Sequence, residues 1–188
     1  MSSSRDCVTL ANAITSANLV AGFLGLLAVL NGDFAVAALL VAIGALCDLV
    51  DGPVARRGRQ DEGFGATLDS LADLLSFGVV PAMALYAGAL HELPVVGLAA
   101  AVGFLLAGAW RLARFPLVKQ STCFVGLPIP VAGLLMMLSV LSHAQAPLVL
   151  GTALAAGALM ISTVPFPNLA GSWRGAVAIL HAADPRRR

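Results

Sequence analysis

Four aspartates carry the chemistry this chain can do: Asp48 and Asp51, three residues apart, and Asp69 and Asp73, four apart. On a helix, both spacings place the paired side chains on one face. Two such helices joined by a short segment are expected to be antiparallel neighbours, with all four carboxylates converging within a few ångströms. The set is all oxygen and all anionic. It therefore suits a hard divalent cation, Mg2+ or Mn2+ rather than zinc, and four carboxylates suffice for two ions about 3.5–4 Å apart, an arrangement suited to phosphoryl transfer. Gly52 and Ala55 between the pairs, and Gly65 just before the second pair, leave the helix faces bare enough for a flat ligand to approach the backbone. Pro53 lacks the N–H that would bond the Leu49 carbonyl, so a kink and a freed carbonyl are expected there.

The elements that must position these acids are apolar helices. Of 188 residues, 59% are hydrophobic and 11% charged, against roughly 45–50% and 25% in soluble domains. A membrane-spanning helix needs about 20 mostly apolar residues. Residues 7–32 lack Asp, Glu, Lys and Arg and supply a first span, Leu10–Leu30, closed by Asn31-Gly32-Asp33. Its Asn12, Thr15 and Asn18 argue against a cleaved signal peptide, whose core would be simply apolar. The uncharged stretch 34–47 has only 14 residues, so its helix must continue through Asp48 and Asp51 to about Arg56. A matching helix is expected from near Ala66 to Leu90. Residues 93–110 give a fourth span. The 54 uncharged residues 120–173 give two more, broken at Ser142–Pro147. The fold class expected is an all-α integral membrane protein of six transmembrane helices. The whole of 1–188 forms one domain, with a short surface helix and a basic tail over 168–188.

Orientation follows from the basic residues, which favour cytoplasmic loops. Arg5, Arg56, Arg57, Arg59, Arg111, Arg114, Lys119, Arg174 and Arg186–Arg188 all fall on one side of a six-helix path, and the opposite loops Asn31–Asp33, His91–Leu93 and Ser142–Pro147 hold none. Both termini and the acids are then expected at the cytoplasmic face of the cell (inner) membrane. A net charge of +1 provides no field for nucleic acid. Cys7, Cys47 and Cys123 are odd in number and widely spaced, which fits neither a disulfide framework nor a zinc finger. His91, His143 and His181 have no partners at ligand spacing. Trp110, Trp173 and Tyr86 suit interfacial anchoring. Arg111 and Arg114, at i,i+3 near the cytoplasmic end of helix four, could hold a carboxylate or a phosphate in their guanidinium forks.

The pattern Asp48-x2-Asp51-Gly52-x2-Ala55-Arg56-x8-Gly65-x3-Asp69-x3-Asp73 resembles, at every position, the signature of the CDP-alcohol phosphotransferase family. Asn12-x2-Thr15-x2-Asn18 is similar to that family's helix-one pattern, with Ala11 where a proline is common. Arg111-Leu112-Ala113-Arg114-Phe115, the segment Phe124–Pro130 and the late Ile161-Ser162-Thr163 resemble the phosphatidylserine synthase branch. The resemblance implies a six-helix membrane enzyme, often a homodimer, that displaces CMP from CDP-diacylglycerol with the hydroxyl of L-serine. It further implies that Asp48, Asp51 and Asp69 hold Mg2+ or Mn2+, with Asp73 as a further ligand and the general base. Asn12, Thr15, Asn18, Gly52, Ala55, Arg56 and Gly65 would line the nucleotide and donor site, and Arg111 and Arg114 the acceptor or phosphate site. The same aspartates would serve a phosphatidylglycerophosphate synthase or another acceptor alcohol. From a different class, a cation or proton transporter would also carry acids in the membrane, but along a path through it rather than clustered at one surface.

Overall fold

The structure, a computed structural model, describes residues 10–55, 62–118, 124–162 and 165–166. Six helical rods account for nearly all of it. Helix α1 is Leu10–Leu30 and α2 is Phe34–Ala55. Helix α3 covers 62–90 and is built of α-helical Glu62–Asp73, π-helical Leu74–Val79, α-helical Val80–Leu85 and π-helical Tyr86–Leu90. Helix α4 is Pro94–Val118, α5 is Ile129–Leu141 and α6 is Ala146–Ile161. The one departure from an all-helical chain among the described residues is a two-residue antiparallel bridge of β1 (Phe124–Val125) and β2 (Pro165–Phe166).

The turns follow from local chemistry. Helix α1 ends where Gly32 takes a left-handed φ of 80°. The Gly32 N–H bonds the Val29 carbonyl at 3.0 Å and the Asp33 N–H bonds the Ala28 carbonyl at 2.9 Å, satisfying carbonyls that the helix end would otherwise orphan. Helix α5 stops at His143, whose φ is 49°, and α6 opens with Pro147 in its first turn, where a missing N–H costs nothing. Pro130 occupies the same place in α5. Helix α3 begins at Glu62, earlier than the Ala66 expected, and α4 runs past residue 110 to Val118.

Helix α1 packs along α2, α4 packs along α6, and the Glu62–Asp73 portion of α3 lies on α1. Helices α2 and α3 approach one another around the acids, as the spacing predicts, and helix α1 lies against both. Small residues permit this close approach. A Cβ on Gly22 of α1 would collide with the Ser76 side chain, and one on Gly133 of α5 would sit 2.9 Å from the Phe77 carbonyl oxygen and 3.0 Å from its Cα.

The core gathers Phe77, Leu85, Leu90, Phe104, Ile129 and Met136, all essentially inaccessible. The outside is apolar as well: Phe23, Leu39, Leu46, Leu98, Leu138 and Leu154 are exposed, as suits a surface facing hydrocarbon. Leu10–Leu30, Gly63–Leu90 and Pro94–Arg114 are long and apolar enough to cross a membrane, and Phe34–Val50, Ile129–Leu141 and Ala146–Ile161 are shorter apolar helices.

Candidate functional site

Asp48 lies in the last turns of α2, and Asp69 and Asp73 on successive turns of α3. Their carboxylates come together: one oxygen from each lies within 4.8 Å of the others. Asp48 and Asp69 are half-buried and Asp73 is 6% exposed. At such separations each pair of ionised carboxylates repels by roughly 3 kcal/mol at an effective dielectric near 20. A cation among them relieves that repulsion, and an all-oxygen donor set of this kind could hold a hard divalent metal ion. Asp51 follows Asp48 by one helical turn on α2; its side chain lies outside the described residues.

The most buried of these three acids is held from α1. The Asn18 Nδ2 of α1 donates to Asp73 Oδ1 at 3.2 Å. Asn18 is completely buried, and Ser76 Oγ, one turn beyond Asp73 on the π-helical stretch of α3, donates to the Asn18 carbonyl oxygen at 3.0 Å. Asn12 and Thr15 continue the same face of α1 and are buried as well, with Thr15 Oγ1 bonded to the Ala11 carbonyl at 3.1 Å. A buried polar stripe on one apolar helix thus faces the acidic part of α3.

Arg111 of α4 is half-buried and close enough to feel the charges of both Asp73 and Asp48. Its Nε is buried without a hydrogen-bond partner in the structure. Arg114, one turn on, reaches the Ile161 carbonyl oxygen at the end of α6 at 3.5 Å. One arginine lies within the field of the carboxylates and the other ties α4 to α6. The arrangement can gather cations among acids, present a basic group beside them, and hold one carboxylate at a fixed angle.

The family model for CDP-alcohol phosphatidyltransferase matches residues 8–166. The chain belongs to this family. It is 34% identical over 157 residues to the CDP-diacylglycerol–serine O-phosphatidyltransferase of Bacillus subtilis, covering 82% of this chain and 88% of that one. It is 37% identical over 169 residues to the protein of the same name from Methanocaldococcus jannaschii, covering 89% and 78%. It is 33% identical over 171 residues to the archaetidylserine synthase of Methanothermobacter thermautotrophicus, covering 87% and 72%.

Within this CDP-alcohol phosphatidyltransferase, Asp48, Asp69, Asp73, Asn18 and Arg111 gather in one region. Gly65 is half-buried one turn before Asp69. Gly52 and Ala55 lie on the end of α2, with the surroundings of their side-chain positions outside the described residues, as is Arg56 altogether. Arg5, Cys7, Lys119, Cys123, Thr163 and the segment 168–188 also lie outside them. Two participants escaped the sequence reading. Ser76 carried a signal, since it and Tyr86 are the polar side chains of the run 74–90. Gly44 carried none, being one small residue among many; it lies on α2 against the Asn18 amide.

Proposed function

We propose that this chain is a phosphatidyltransferase that moves the phosphatidyl group of CDP-diacylglycerol onto the hydroxyl of L-serine, forming phosphatidylserine and CMP. The observation that carries the reading is the convergence of Asp48, Asp69 and Asp73 at the ends of two apolar helices. The names of the relatives support serine as the acceptor.

Asp48, Asp51, Asp69 and Asp73 would hold Mg2+ or Mn2+, two ions in all. Bound there, such ions offset the charge of the donor's diphosphate and of the departing CMP. Asp73 takes the proton from the serine hydroxyl as that oxygen bonds to the phosphorus carrying the diacylglycerol, and the bond from this phosphorus to the CMP oxygen breaks with its electron pair going to CMP. No covalent intermediate with the enzyme is needed. Arg111 binds the serine carboxylate or a donor phosphate through its fork, with Arg114 beside it. Asn12, Thr15, Gly52, Ala55, Arg56 and Gly65 shape the nucleotide and donor site. The single domain of 1–188 crosses the cell (inner) membrane six times with both termini cytoplasmic, so that the acids meet the lipid headgroups and the cytosol together, and it works as a homodimer.

The deciding experiment gives the purified chain CDP-diacylglycerol and Mn2+ and follows CMP release with L-serine, glycerol 3-phosphate or inositol phosphate as acceptor. Release is expected to be fastest with L-serine. Equal or faster release with glycerol 3-phosphate would return the acceptor to the phosphatidylglycerophosphate type.

A further inference from the structure

We propose that Asn18 is a positioning residue that fixes the orientation of the Asp73 carboxylate, with Gly44 beside its amide and Ser76 holding its main chain. This rests on the reading of Asp73 as the proton acceptor. Asn18 stands 55 positions from Asp73 in the chain, yet its Nδ2 donates to Asp73 Oδ1 at 3.2 Å. Only the N–H end of an amide can face a carboxylate oxygen, so the side chain has one permitted orientation. That orientation leaves Asn18 Oδ1 buried with no hydrogen-bond partner in the structure. The oxygen is directed at α2, where a Cβ on Gly44 would lie 2.6 Å from it and 3.6 Å from the Ser76 Cβ. From α3, Ser76 Oγ holds the Asn18 main-chain oxygen at 3.0 Å.

A wholly buried position needed only for packing is best filled by an apolar side chain of the same shape, because an unsatisfied amide oxygen is costly there. The molecule instead keeps an amide with one end unsatisfied and the other on a carboxylate, which serves the carboxylate. With its Nδ2 on Asp73 and no accessible surface, Asn18 is turned to the carboxylate rather than to an open nucleotide site. The role therefore replaces the donor contact given to Asn18 above.

The test is steady-state kinetics on the full chain in detergent micelles containing CDP-diacylglycerol, with Asn18→Ala, Gly44→Ala and the double variant, beside thermal melting of each. For Asn18→Ala, kcat is expected to fall about 10- to 100-fold, with KM for CDP-diacylglycerol changed by less than about twofold. Gly44→Ala should lower kcat with the same unchanged KM, which keeps the test alive if Asn18→Ala does not fold. The double variant should be no worse than Asn18→Ala, since the added methyl occupies space the amide has left. A raised KM would make Asn18 a nucleotide contact, and an unchanged kcat with a lowered melting point would make it packing; either overturns the positioning role. A wild-type chain releasing no CMP with any alcohol would remove the reading of Asp73 as base and this role with it. An active wild type beside variants of unchanged kcat removes this role alone.

Discussion

A carboxylate that takes a proton from an alcohol must be held at one angle, and Asp73 is nearly buried with one oxygen on the Asn18 amide. Asp73→Asn keeps the shape and removes the basicity, so transfer should fall by about 10²–10⁴-fold while CDP-diacylglycerol binding, read with a radiolabelled donor, persists at least in part. Asp48 is half-buried and on the other helix. Asp48→Asn should instead raise the Mn2+ concentration that half-saturates CMP release by about tenfold or more, because ion affinity follows the charge of the ligand set. Arg111→Lys retains the charge but loses the fork, and KM for serine should rise by about tenfold with KM for CDP-diacylglycerol little changed. The acids were legible in the sequence because carboxylates in apolar helices need a reason to be there. Gly44 was not, because a glycine's partner is decided by which helix happens to lie against it.

At the scale of the element, the end of α1 at Leu30 could be read from residue types alone, since the Asn31-Gly32 turn that closes it is local chemistry. The extension of α2 through Asp48 and Asp51 also followed, from the length a crossing needs. The two π-helical stretches of α3 did not. The first of them lies where Gly133 of α5 meets the Phe77 backbone and Gly22 of α1 meets Ser76, and no window of sequence contains both partners. Gly133→Ala should therefore destabilise the fold by about 1–3 kcal/mol, seen as a lower melting temperature in detergent. Gly151→Ala on α6, where an added Cβ meets nothing within 4 Å, should be neutral or slightly stabilising, by up to about 1 kcal/mol from helix propensity.

For the whole molecule, the six-rod arrangement was countable from charge-free runs, whereas the placing of α1 against both α2 and the start of α3 was not, because no local pattern states which helix covers a neighbouring pair. On the proposed orientation, single cysteines introduced at His91 or His143 in a background lacking Cys7, Cys47 and Cys123 should react with a membrane-impermeant maleimide applied to intact cells. A cysteine at Arg57 should react only after permeabilisation. The lengths of the rods have a last consequence. Helices α5 and α6 have 13 and 16 residues, which at 1.5 Å per residue is about 20 and 24 Å, against a hydrocarbon thickness near 30 Å. On the proposed six-span topology, crossings of such unequal reach would draw the bilayer into a dip on the α5–α6 flank, at a fraction of a kcal/mol per ångström of mismatch. Through that dip a lipid's diphosphate could settle to the depth of the carboxylates while its acyl tails stay dissolved in their own leaflet.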